Sequence, residues 1–276
     1  MAVGDHHTAT SAVRRVLNRP HINPPGRDEM KLRGTGVLVS ALAILAFSAA
    51  SAMALTIIGT DGPDTITGSN QTDQVDAKAG DDQIRTLQGD DSVIAGDGND
   101  RADLGQGKDQ ADGGLGDDQI DGGAGDDHIV GGDGNDYLLG WRGNDEVLGQ
   151  VGDDLLRGYF GHDLVRGGDG NDELHGGPGN DVEYAGPGVD TVFGGRGNDV
   201  ISALAQVDVS QPGADTVHAR RGNDMVLVRD GEADQVFCGS GFDTVIADHQ
   251  DVVARNCERV LRGDPQPGED NQEISS

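Results

Sequence analysis

An aspartate stands at every ninth residue from Asp64 to Asp199, sixteen in unbroken succession: positions 64, 73, 82, 91, 100, 109, 118, 127, 136, 145, 154, 163, 172, 181, 190 and 199. So strict a period constrains the fold more than any other property of the chain. Each nine-residue unit must take the same local structure and bury the same position against its neighbours. The unit is clearest from Gly113 to Leu139, where Gly-Gly-Leu-Gly-Asp-Asp-Gln-Ile-Asp is followed by two close copies of itself. Its pattern is G-G-x-G-x-D-x-U-x, with U apolar. Glycine precedes each aspartate by two residues, except at Gln71. An apolar residue follows each by two, except at Glu183, where Val182 is the nearest substitute; Ala102 and Ala111 are the weakest of these positions.

Each residue type has a physical task. Glycine at the first, second and fourth positions lets the backbone enter positive φ, so six residues can close a tight turn. The aspartate closes that turn and points a carboxylate at its mouth. The last three residues alternate out, in, out, as a very short strand does. One repeat cannot bury its single inward residue, so repeats must stack. The expectation is an all-β chain.

On these residues the chain resembles the RTX (repeats-in-toxin) calcium-binding nonapeptide proteins. The resemblance runs without interruption from about Ile58 to Ser202 and in degenerate form to about Val260. It implies a right-handed parallel β-roll, a β-solenoid in which two nonapeptides make one coil. It also implies several Ca2+ ions in two rows, each between the turn of one repeat and the turn two repeats on, where carboxylate and carbonyl oxygens suit a hard cation. Carried over to this chain, Asp118 faces Asp136, Asp127 faces Asp145 and Asp181 faces Asp199. The implied metal-binding set is Asp82, Asp91, Asp100, Asp109, Asp118, Asp127, Asp136, Asp145, Asp154, Asp163, Asp172, Asp181, Asp190 and Asp199.

Residues 1–29 are polar and aperiodic, and read as a disordered or non-native extension. Residues 30–54 carry Met30-Lys31-Leu32-Arg33, an apolar run from Val37, and the ending Ala52-Met53-Ala54. This is the layout of a secretory signal peptide cleaved after Ala54; an uncleaved anchor is the alternative, and Met1 and Met30 are both candidate starts. Residues 55–202 are the expected roll. Its first repeats, from Gly59 to Ile94, are imperfect, with Pro63, Gln71 and Ala77 off pattern, as capping repeats commonly are. Lys108 and Val189 replace turn residues usually Asn or Asp, which weakens their local sites.

Beyond Asp199 the next aspartate in pattern is Asp215, sixteen residues on, so about seven residues around Ala203–Val209 are inserted. The expectation is a loop out of the roll with a second, smaller stack behind it. Residues 203–261 then read as degenerate repeats and a cap, with Asp224, Asp234 and Asp243 keeping nearly the same step. Cys238 and Cys257 are nineteen residues apart, about one coil. Neighbouring coils lie about 4.8 Å apart, within disulfide reach, and export favours a bridge; two free thiols are the alternative. This end also resembles the cysteine-bearing terminal repeats of exported RTX-like proteins. Residues 262–276 read as a disordered acidic tail.

The formal net charge is −29, and loss of residues 1–54 would remove six basic and three acidic residues to leave −32. That disfavours nucleic acid and anionic membranes as partners, and no stable membrane insertion is expected once a leader is cleaved. The natural counter-ion is calcium; the sequence identifies no macromolecular partner. No catalytic set stands out. His128, His162, His175, His218 and His249 are scattered and make no H-x-x-x-H pair. Asp pairs such as Asp117–Asp118 mimic a glycosidase couple but recur from repeat to repeat, as a structural feature does. Tyr137, Trp141, Tyr159 and Phe160 suggest a sugar-binding patch or, more simply, local packing. An ice-binding surface is excluded, because the third turn position carries Asp97, Gln106, Leu115, Ala124, Asp133 and Arg142 and forms no uniform rank. The sequence thus points to a secreted, extracellular, non-catalytic calcium-binding roll acting as a structural or interaction module. The alternative is a calcium-binding module derived from an RTX toxin or exoenzyme.

Overall fold

The computed structural model of the protein describes residues 29–31, 54–204 and 213–263. Among the described residues, twenty-four strands, all paired in parallel, form one sheet of thirteen strands and one of eleven. Successive strands alternate between the sheets: Gln110–Leu115 lies in the first, Gln119–Ala124 in the second, His128–Asp133 in the first again. Within a sheet, partners are one coil apart. Ile129 stands opposite Ala111 and Val147, and Leu138 opposite Ile120 and Leu156. Among the described residues there is no helix. This is a parallel β-solenoid, as the resemblance to the RTX repeats implies.

The strands are longer than the expected three residues. Most central ones have six, because the ladder continues through both glycines of the following repeat and its third residue, as in His128–Asp133 and Leu164–Asp169. Positive φ occurs at the second and fourth repeat positions, for example 107° at Gly114 and 121° at Gly116. The first-position glycine does not adopt it. Gly113 is small for another reason: a Cβ there would lie 2.4 Å from both Asp118 Oδ2 and the Gly131 carbonyl. Six residues other than glycine hold positive φ at the second position, Trp141 and Tyr159 among them, and bulky side chains are strained there.

The core is two facing files of inward residues, one from each sheet. Ile66, Ile84, Ile120, Ile129, Leu138, Leu156, Leu174, Ile201 and the valines between them are at most 4% exposed. Ala102 and Ala111 keep the same inward place. Burial of a Leu or Ile side chain is worth about 1.5–3 kcal/mol; several repeats offer only Val or Ala at this place, and some add a buried first-position residue such as Leu104 or Ala185.

The insertion does not divide the roll. Val192 pairs with Val217 and Ile201 with Val226, so one coil spans twenty-five residues and both sheets continue in register. The later repeats therefore extend the same stack instead of forming a second, smaller one. The next coil spans nineteen, with Val217 opposite Val236 and Val226 opposite Val245. Cys238 and Cys257 are disulfide-bonded, with Cα atoms 5.3 Å apart, which ties the last coil to the one before it.

At the other end, Glu29–Lys31 pairs in parallel with Thr56–Ile58. Cleavage after Ala54 would remove that outer strand and bare the edge at Thr56–Ile58. Most of the expected extension at 1–29, the rest of the leader at 32–53, and the tail from 264 lie outside the described residues. No described helix is long and apolar enough to cross a membrane.

Candidate metal centre

Every repeat delivers its aspartate to the same place. Two glycine-containing turn positions precede it and a strand follows, so its side chain folds back beneath the turn. The ladder aspartates from Asp73 to Asp243 are at most 3% exposed. Their carboxylates are thus turned inward instead of standing at the open mouth of the turn.

The two oxygens of each carboxylate have different environments. Oδ1 accepts the backbone N–H of the ladder aspartate one coil earlier. Asp118 N–H donates to Asp136 Oδ1 at 2.8 Å, Asp127 N–H to Asp145 at 2.9 Å, and Asp181 N–H to Asp199 at 3.0 Å. The chain of bonds bridges the long coil, from Asp190 to Asp215 and from Asp199 to Asp224. It ends at Asp251 and Glu258, which accept from Asp234 and Asp243. The structure therefore brings together each aspartate pair suggested by the sequence. Oδ2 is different: in all fourteen aspartates from Asp82 to Asp199 it is buried without a hydrogen-bond partner.

The same orphaned oxygen occurs at Asp215, Asp224, Asp234 and Asp243, beyond the set taken from the sequence. Their spacing of nine or ten was the available signal. Asp64 and Asp73 mark the opposite limit, because their Oδ2 atoms accept the Thr60 and Ser69 backbone N–H groups at 2.6 and 2.5 Å.

Burial is the main cause of an upward pKa shift along the ladder. It pushes the carboxyls of Asp118, Asp145 and Asp172 up to about 7, and those of Asp127 and Asp163 to about 6. The donated backbone N–H opposes this, while neighbouring ladder carboxylates add to the rise at Asp118, Asp145 and Asp172. Desolvation thus outweighs like-charge repulsion in making the ionised ladder unfavourable. Asp215 is raised furthest, to about 9.

Backbone oxygens complete the turn. A Cβ at Gly116 would lie 2.1 Å from the Gly98 carbonyl, and one at Gly134 2.1 Å from the Gly116 carbonyl; only glycine lets the coils approach so closely. Among the described residues no backbone N–H bonds the fourth-position carbonyls of Gly98, Gly116 or Gly134. An outer row of side chains ties the turns together on the solvent side: Asp117 accepts from Asn135 N–H, and Asn135 Oδ1 from Asp153 N–H. Lys108 still donates its backbone N–H to Asp90 and pairs its ammonium with Asp126. Val189 donates to Asn171 but has no side-chain oxygen for the next turn.

A buried carboxylate oxygen without a donor calls for a proton or a cation. The donor set here is all hard oxygen, the chemistry of calcium. Among the described residues no three His, Cys, Asp or Glu side chains converge on one point. A cation in these turns would therefore take at most two carboxylates and fill its shell with backbone carbonyls, which the turns present.

Several of the remaining aromatic and histidine candidates stack along the sheet surfaces. Trp141 and Tyr159 stack with ring centroids 4.6 Å apart, and Arg157 lies over the Tyr137 ring. His175, Phe193, His218 and Phe237 form a second stack along one sheet. One substitution reads differently in three dimensions. Val182 does not take the place of Glu183; the glutamate itself points inward and is fully buried.

A parallel solenoid with a buried aspartate file beneath glycine turns defines a class of repeat protein organised around hard cations. The profile of the RTX calcium-binding nonapeptide repeat (4 copies) matches residues 56–84, 77–111, 112–147, 148–183, 184–209 and 211–245. The chain belongs to that family, and its repeats form a calcium-binding β-roll that takes several ions. No curated protein matches the chain.

Proposed function

We propose that calcium ions bound through Asp82 to Asp199 complete the fold, and that the finished roll acts as a secreted, non-catalytic structural or interaction module. The observation that carries this reading is the column of buried Oδ2 atoms without partners. Each pair of successive turns on one side supplies two such carboxylates and the free carbonyls beside them. Bound calcium supplies positive charge where burial otherwise resists ionisation, and its binding free energy becomes folding free energy. Export is supported by the leader-like layout of residues 30–54 and by the Cys238–Cys257 bridge, which suits an oxidising compartment. A non-catalytic role is supported by the repetition itself: the acidic groups recur in coil after coil and single out no one pocket.

Far-UV circular dichroism of the metal-free chain, titrated with calcium chloride at pH 7.5, tests the reading. The expected result is a strand signal that grows with calcium, and equilibrium dialysis showing several ions per chain. A complete strand signal in chelator that calcium does not change would overturn it.

A further inference from the structure

Glu183 occupies the inward file of the roll, between Val165 and Ile201 in register. It is 0% exposed, and neither Oε1 nor Oε2 has a hydrogen-bond partner. In two other coils the corresponding space holds a methyl group. The Cβ position of Gly122 lies 2.7 Å from Asp127 Oδ2 and 3.0 Å from Ile129 Cδ1; that of Gly194 lies 2.7 Å from Asp199 Oδ2 and 3.1 Å from Ile201 Cδ1. The same point at Gly176 lies 2.4 Å from Glu183 Oε1, 2.7 Å from Asp181 Oδ2 and 2.8 Å from the Gly194 carbonyl. Two unpartnered carboxylate oxygens and a carbonyl thus meet in one buried place.

Glu183 is fully buried, and the charged groups acting on it, Asp199, Asp181, Asp224 and Asp163, are all acidic. A buried acid without a cationic partner is strongly destabilising, and valine or isoleucine fills this position on both sides. The position therefore has a cost that packing does not explain and a cation would remove.

We infer that Glu183, Asp181 and the Gly194 carbonyl form an internal calcium site that the other coils lack. Two carboxylates match the charge of a divalent ion, and the three donors are hard oxygens. The site sits behind the turn, on the core side of the ladder, and it rests on the calcium reading of the repeats.

The test compares the full chain with Glu183→Val and Glu183→Gln by isothermal titration with calcium chloride and by thermal unfolding in chelator. Glu183→Val installs the residue of a neighbouring coil, so folding is retained. The expected result is that both variants lose one bound ion, or bind one ion at least tenfold more weakly. Glu183→Val should also melt higher than wild type in chelator while gaining less from calcium. Variants that match wild type in both stoichiometry and affinity would overturn the inference and leave Glu183 a protonated core residue. A wild-type chain that binds no calcium would instead overturn the reading of the repeats as well.

Discussion

Acid should stabilise the metal-free roll, the reverse of ordinary acid unfolding. The perturbation is removal of metal followed by a change from pH 7.5 to pH 5.5. The ladder carboxyls of Asp109, Asp118, Asp145, Asp154, Asp172, Asp181, Asp190 and Asp224 are raised to about 7. Those of Asp82, Asp127, Asp136, Asp163 and Asp199 are raised to about 6. The unfolded reference is about 3.9, and each unit of difference is worth about 1.36 kcal/mol. Discounted for solvent screening to about 1 kcal/mol per group, a dozen such groups amount to roughly 12 kcal/mol, as large as the whole stability of a typical domain. The sign follows from linkage. A folded pKa above the unfolded one gives stability that is complete below about pH 4 and lost as the pH rises through 6 to 7. Urea unfolding followed by circular dichroism should therefore give a higher midpoint at pH 5.5 than at pH 7.5 in metal-free protein. With saturating calcium the order should reverse, because protons compete with the ion for the carboxylates. A metal-free roll at least as stable at pH 7.5 as at pH 5.5 would refute the reasoning.

Asp145→Asn keeps an oxygen to accept the Asp127 N–H but removes a buried charge. It should stabilise the metal-free chain at pH 7.5 and weaken calcium binding, and changes of the same sign in the two measurements would count against the ladder as the binding element. Gly116→Ala would place a Cβ 2.1 Å from the Gly98 carbonyl at a φ of +121° and should cost more than about 2 kcal/mol in urea unfolding. Gly62→Ala meets nothing within 4 Å and should stay within about 0.5 kcal/mol of wild type. Cys238→Ser should lower stability in saturating calcium by about 3 kcal/mol in the chain-entropy model for a loop of this size; an unchanged midpoint would show that the last coil does not depend on the bridge. Magnesium, which demands a tight octahedral shell and keeps its waters, should produce little of the strand signal that equimolar calcium gives.

The aspartate period identified the repeating unit and the need to stack it, while calcium came from the resemblance to the RTX repeats, with which the all-oxygen donor set agrees. What the period could not supply was direction. Asp118 looks from sequence like a residue at the mouth of a turn, yet its side chain is held inward by the Asp100 N–H, which comes from a different coil. Gly113 looks like a residue chosen for backbone freedom, yet its smallness serves the Asp118 carboxylate beside it. Both facts depend on stacking, which a single repeat does not encode. Glu183 was visible as an exception, but preference for an apolar inward residue pointed to Val182. The continuous β-ladder, set by Val165 and Ile201 on either side, decides instead for the glutamate. The sixteen-residue step to Asp215 showed that residues had been added; only the pairing of Val192 with Val217 shows that they leave the sheets unbroken.

The eighteen-residue step of the ladder has a further consequence for assembly. Displacing one part of the central roll by a whole coil would place Asp against Asp and an apolar residue against an apolar residue, as between Asp118 and Asp136. The central array is close to translationally degenerate, the condition under which repeat proteins misassemble. Three features break that symmetry: the lone inward Glu183, the twenty-five-residue coil and the Cys238–Cys257 bridge. All lie in the C-terminal half, where they act as fiducial marks. A chain that sets these marks first has its alignment fixed before the uniform coils ahead of them close.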